Sequence, residues 1–124
     1  MSISLYLGVD IGTYETKGSL VDIKGNIVAQ SSKKHELLIP QQGWAEHRPN
    51  DDWWNDFIFI CNDLISKSKC SPLDIKAVTA SAIGPCMLPV DINGSPLMNA
   101  VLYGVDTRAS EEIEELNSII GKEN

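Results

Sequence analysis

An acid, a glycine, a hydroxyl and a lysine fall close together in LGVDIGTYETKG, residues 7 to 18. Such a set suits phosphate and a divalent cation. A tight turn containing Gly12 offers backbone N–H groups to an anion, and Thr13 adds a hydroxyl donor. Lys17 brings positive charge to phosphate oxygens. Asp10 is a hard oxygen ligand of the kind Mg2+ takes while keeping much of its water. The same residues also suit a polar hairpin with its glycine in the left-handed region and its charges in solvent. Short motifs of this kind do not decide between the two by themselves.

Two further clusters carry polar groups where chemistry could occur. GWAEHRPNDDWW (43 to 54) sets His47 and several charges among tryptophans. Taken plainly it is a loop whose Trp44 packs over the core and whose Asn50 or Asp51 caps a helix. His47 has no evident partner for proton transfer. YGVDTRAS (103 to 110) puts Asp106 and Arg108 between a strand end and a helix start. Open α/β sheets place ligand groups there, but Asp106 could equally cap the helix and Arg108 pair with a nearby acid. The glutamates at 111, 112, 114 and 115 read as a solvated helix face.

The elements that must position these residues follow from periodicity. ISLYLGV (3 to 9) is a buried strand, Thr16 to Ile23 a second, and Ile27 to Gln30 begins a third after the turn at Lys24-Gly25-Asn26; tight connections make these an antiparallel meander. Residues 38 to 52, with two prolines and a glycine, form an irregular connection. A helix runs from about 51 to 67, with Trp53, Phe57, Ile60, Cys61, Leu64 and Ile65 on one face. SPLD (71 to 74) breaks it. A strand covers 75 to 83, and 87 to 91 pairs with 97 to 103 through the Asn93-Gly94 turn, Pro89 marking an edge or irregular strand. A last helix, about 107 to 120, has Ile113, Leu116, Ile119 and Ile120 as its apolar face and Gly121 at its end. The order β-β-β-α-β-β-β-α predicts an α/β fold with a mixed sheet and flanking helices. Neither GxGxxG nor a P-loop is present, so a nucleotide would need another device.

Composition narrows the function classes. With 124 residues, 43% apolar and 22% charged, the chain is an ordinary globular domain long enough to bury a core. Its formal net charge of −7, with Lys33-Lys34 as the only adjacent basic pair, disfavours nucleic acid and anionic membranes as partners. Apolar runs of about five residues fall far short of the ~20 that span a bilayer, and the N-terminus enters the first strand without a signal peptide. Three cysteines, at 61, 70 and 86 and without CxxC spacing, suit reduced thiols in the cytoplasm.

Taken together and in this order, the motifs resemble the FGGY family of carbohydrate kinases. Asp10-Ile11-Gly12-Thr13 is similar to its opening D-x-G-T turn. Gly43-Trp44-Ala45-Glu46 with Pro49 and Trp53-Trp54 resembles its G-W-x-E segment and Trp-bearing helix. Asp91-Ile92-Asn93-Gly94-Ser95-Pro96 resembles its D-x-x-G-x-P hairpin, and Tyr103 with Asp106-Thr107-Arg108 its aromatic and D-x-R. The resemblance implies an actin-like, ribonuclease-H-like fold and an enzyme of two domains with a cleft between them. ATP would lie against the C-terminal domain and the sugar against the N-terminal one. It implies Asp10 near Mg2+, Gly12, Thr13 and Lys17 near phosphate, and Gly84, Pro85, Tyr103 and Asp106 around the sugar.

Departures from the family shape the expected substrate. Glycerol kinases carry Arg-Glu at about positions 84 and 85, and xylulose kinases tend to carry Met-His; here Gly84-Pro85 stands instead. The family's W-x-D becomes Tyr103-Gly104-Val105-Asp106, one residue longer. A pentulose such as xylulose is the expected substrate. The family's catalytic base and adenosine pocket have no counterpart in these residues. The expectation is therefore the leading part of an N-terminal domain, inactive alone, with the remainder of the kinase chain as partner and a homo-oligomer left open. A non-catalytic actin-like module that binds nucleotide or protein is the alternative, and a plain interaction domain the third.

Overall fold

Leu5, Leu7, Val9 and Ile11 alternate with Tyr6, Gly8 and Asp10. That period of two builds a strand with one apolar face. A computed structural model describes residues 3–121. In chain order it contains β1 (Leu5–Ile11), β2 (Glu15–Asp22), β3 (Ile27–Lys34), β4 (Glu46–His47), a π-helical segment (Pro49–Asn55), α1 (Asp56–Ser68), a 3₁₀ turn (Pro72–Asp74), β5 (Ile75–Ala82), β6 (Ala100–Val101) and α2 (Ser110–Ile120).

The main sheet has the order β3-β2-β1-β5. β1 pairs antiparallel with β2, as β2 does with β3, while β5 lies parallel to β1. The expected meander and mixed sheet are both present, and β3 runs on to Lys34. Helix α1 is the connection that lets β5 return parallel beside β1. Its Ile60 and Leu64 are fully buried against Leu5, Leu7, Val9 and Leu20, with Phe57, Cys61 and Ile75 packed at the margin. This face of the sheet is the core. The opposite face carries Gly8, Asp10, Lys17, Ser19, Thr79 and Ser81, and it lies open.

Four expectations are corrected. The helix cap is neither Asn50 nor Asp51: the chain enters the π-helical segment without a side-chain cap from Arg48, and Asp52 reaches back to accept the Arg48 N–H at 2.7 Å. The 87–103 hairpin keeps its Asn93-Gly94 turn, with Gly94 at φ +81°. However, 87–91 is not a strand, only the bridges Met87 to Val101 and Val90 to Pro96. Pro89 and Pro96 lack the N–H groups a continuous ladder needs. The 38–52 connection contains β4, which pairs antiparallel with β6. Finally, α2 starts at Ser110 rather than near 107, and its Ile113, Leu116 and Ile119 are more than half exposed instead of packed in a core. The cysteines are free thiols. Among the described residues no helix is long and apolar enough to cross a membrane.

Candidate functional site

β1 and β5 run parallel, and both deliver their carboxyl ends to the same edge. Asp10, one residue from the end of β1, is exposed, and Ser81 of β5 donates its hydroxyl to Asp10 Oδ1 at 2.6 Å. Among the described residues its Oδ2 makes no hydrogen bond. The carboxylate borders a groove of about 330 Å³ that it shares with Gly8, Lys17, Ser19 and Thr79. Asp10 and Lys17 are direct cross-strand partners. Lys17 is bonded to Glu15 at 2.9 Å, and that hydrogen bond and charge raise its pKa above the ordinary lysine value. Among the described residues no group of three or more His, Cys, Asp or Glu side chains could hold a metal ion. A single free carboxylate oxygen fits Mg2+, which commonly takes one or two carboxylates and fills its shell with water and phosphate oxygens.

The turn between β1 and β2 carries Gly12 and Thr13. Gly12 is not in the left-handed region. A Cβ there would crowd the Glu15 carbonyl at 3.0 Å, to which the Gly12 N–H donates at 2.9 Å. The Gly12 N–H is thus spent on the turn. The N–H groups of Thr13 and Tyr14 have no hydrogen-bond partner among the described residues.

Behind the turn lie two histidines. His47 is fully buried and His35 nearly so. His35 Nε2 lies 2.9 Å from the Gly12 carbonyl, and its Nδ1 lies 2.8 Å from Asp56 Oδ2. Lys33 holds the other Asp56 oxygen at 2.7 Å. His47 Nε2 lies 2.9 Å from the Thr13 carbonyl. The Trp53 indole N–H donates to His47 Nδ1 at 3.0 Å. Indole nitrogen can only donate, so Nδ1 is the acceptor, and Nε2 carries the proton given to Thr13. Burial, the largest influence on it, pushes the His47 pKa below the ordinary imidazole value against the opposing bond to Thr13.

The second candidate region forms where residues 43–46 dock on 106–108. Gly43, at φ +81°, accepts the Thr107 N–H at 2.7 Å. The Arg108 guanidinium sits over the Trp44 ring, 3.9 Å from carbon to ring centroid, a cation–π contact. Ala45 N–H donates to Asp106 Oδ2 at 2.7 Å. Arg108 binds Glu46 at 2.8 Å and Asp106 at 2.7 Å. Asn99 holds the other Glu46 oxygen at 2.9 Å. Arg108's hydrogen bonds, outweighing burial, pull the Asp106 pKa from 3.8 to about 2. Of the local readings of YGVDTRAS, the pairing holds, since Arg108 binds two acids; the cap is corrected, since α2 starts at Ser110 without a side-chain cap and Asp106 is spent on Arg108, including its N–H at 3.0 Å.

Pro85, Tyr103, Asp106 and Arg108 line one cavity of about 450 Å³. Gly84 is exposed and next to Pro85 without lining it. The Ile83 N–H donates to the Ile11 carbonyl at 2.8 Å, which ties the start of the 84–85 loop to the end of β1 beside Gly12. The structure thus brings Asp10 and Lys17 to one groove and Pro85, Tyr103 and Asp106 to another. Sequence reasoning missed His35 and Asp56, and read Trp53 only as part of a helix face; His35 and Asp56 stand 21 residues apart, with nothing in the sequence to mark them as a pair.

Comparison with known proteins identifies the family and the fold. Residues 5–124 match the FGGY family of carbohydrate kinases, N-terminal domain. A glycerol kinase from Beutenbergia cavernae is 30% identical over 123 residues, 94% of this chain and 23% of that protein. The xylulose kinase from Rhodospirillum rubrum superposes with a TM-score of 0.85 at 26% identity, over 96% of this chain and 24% of that one. Plasmodium falciparum glycerol kinase, solved with ADP, gives 0.78 at 25% identity, over 94% of this chain and 23% of that one. The chain spans about a quarter of the length of the proteins it matches. Its fold is the actin-like, ribonuclease-H-like α/β fold they share. With the family's N-terminal domain matched from the first strand to the last helix, the chain belongs to the FGGY family of carbohydrate kinases.

Proposed function

We propose that this chain is the leading, sugar-binding part of the N-terminal domain of an ATP-dependent carbohydrate kinase whose remaining polypeptide supplies the catalytic base and the adenosine pocket. One observation carries this: an exposed carboxylate with a free oxygen stands beside a turn with two unpaired N–H groups, at the carboxyl ends of parallel strands. Phosphoryl transfer asks a protein mainly for positioning and charge stabilisation. The sugar hydroxyl forms a bond to the γ-phosphorus, the bond to the bridging oxygen breaks, ADP leaves, and the hydroxyl proton passes to the base outside these residues. Asp10 would hold Mg2+, which when bound neutralises charge on phosphate oxygens. The turn at Gly12 and Thr13, and Lys17 once turned from Glu15, would face the phosphates.

The sugar would enter beside Gly84, Pro85 and Tyr103. Asp106 would shape that wall through Arg108, since both of its oxygens already accept protein hydrogen bonds. A pentulose such as xylulose is the proposed acceptor. It is supported by Gly84-Pro85, which brings neither the charge nor the bulk of an Arg-Glu pair. The likeness to a xylulose kinase points the same way, although the relatives found by sequence include glycerol kinases. Three free cysteines suit a cytoplasmic setting. The test is ADP formation by the full-length polypeptide that carries this segment. Wild type and Asp10→Asn are compared over pentuloses, glycerol and gluconate. Turnover is expected with a pentulose in the wild type, and none from residues 1–124 alone.

A further inference from the structure

We propose that His35 and His47 are positioning residues that aim the Thr13 and Tyr14 N–H groups at an anion. This rests on the reading of the turn as a phosphate site, and it deepens it. A peptide unit is planar and trans, so its C=O and the following N–H point in opposite directions. His35 draws the Gly12 carbonyl inward at 2.9 Å, and His47 draws the Thr13 carbonyl inward at 2.9 Å. The N–H groups of those same two peptides belong to Thr13 and Tyr14. Each is therefore turned away from the buried rings, and both are left unpaired among the described residues.

The rings are themselves fixed. Trp53 locks His47 in the tautomer that donates to Thr13. Asp56, set at the N-terminal end of α1 and held by Lys33, fixes His35. The two rings meet edge to face at 4.8 Å, so neither can swing without displacing the other. β3, β4, the π-helical segment and the start of α1 each give one member to the set. The turn's anion-binding face is thereby keyed to the packing of the whole domain. Two successive outward N–H groups form the kind of concavity that binds phosphate oxygens.

The experiment follows the Thr13 and Tyr14 amide resonances of the chain during titration with pyrophosphate, in the wild type, His47→Ala, His47→Gln and Trp53→Phe. Gln keeps a donor for Thr13; Phe keeps the ring packing but removes the N–H that fixes the tautomer. In the wild type both amides are expected to shift saturably. His47→Ala should weaken pyrophosphate at least roughly tenfold, the usual loss when the partner that orients a ligating group goes. Trp53→Phe should weaken it less, and His47→Gln should restore much of the loss. A merely structural role would not produce rescue by Gln. Wild-type amides that ignore pyrophosphate, or equal affinity in all four proteins, would overturn the proposal. Absence of sugar-dependent turnover in the full-length wild type, with the amide response intact, would instead remove the kinase reading and leave the positioning role standing.

Discussion

Replacing Asp106 by Asn tests the junction that joins the two loop motifs. Its side chain is 4% exposed and accepts from Ala45 N–H and from three nitrogens of Arg108. The carboxyl titrates at about 2 instead of 3.8. At about 1.36 kcal/mol per unit, that difference amounts to about 2 kcal/mol of stability at neutral pH. The sign follows from a folded pKa below the unfolded one. The contribution is complete above 3.8 and is lost as pH falls from there to about 2. Asn keeps the shape but not the charge, so urea unfolding at pH 7 should show a loss of about 2 kcal/mol. The decline of stability between pH 4 and 2 should also be shallower than in the wild type. Unfolding within about 0.5 kcal/mol of wild type, the range of ordinary surface changes, or an unaltered acid limb would refute the assignment of Asp106 as the clamp on Arg108.

Two other perturbations probe the scaffold. Gly18→Ala would put a Cβ inside the van der Waals envelope of Ile60 Cγ2, with Leu64 Cδ1 at 3.2 Å and the Gly8 carbonyl at 3.3 Å; overpacking of this kind costs about 1–3 kcal/mol in urea unfolding, and a neutral result would mean that α1 does not seat on β2 as described. Because burial lowers the pKa of His47, which also faces His35, Asp52 and Arg48, the folded state should lose stability as pH falls below the unfolded value of 6.5; unfolding from pH 7 to 5 should be less steep in His47→Gln, and equal slopes would count against a neutral buried ring.

Much of the scaffold was legible because its signals are local. The β-rich apolar run at 3–9 and the threes and fours in 53–65 report burial directly, and β1 and α1 follow from them. The Asp10-Gly12-Thr13 turn was visible for the same reason, since its residues are neighbours in the chain. The rest depends on partners far away. Glu46 and Asp56 are buried, against the usual tendency of carboxylates to stay in water unless paired, and nothing near them in sequence announces Arg108 for the one or His35 and Lys33 for the other. β4 and β6 are two residues each, too short for any period to show, and exist because Gly43 to Glu46 dock on Asp106 to Arg108. His47 looked idle because its partners, Thr13 and Trp53, become neighbours only when β4 lies behind the first turn. The apolar stripe of α2 promised burial, but periodicity states only that a face is apolar and not that these residues supply its cover.

The measurement that bears most directly on the kinase assignment is the Asp10 comparison in the full-length polypeptide. Pentulose-dependent ADP formation should be present in the wild type. It should fall by roughly a hundredfold or more in Asp10→Asn, the scale on which losing one electrostatic contact to a developing charge slows catalysis, while the urea unfolding midpoint stays unchanged, because Asp10 is exposed and, among the described residues, bonded only to Ser81. Equal turnover in the two proteins would contradict the assignment of this groove as the phosphate and cation site.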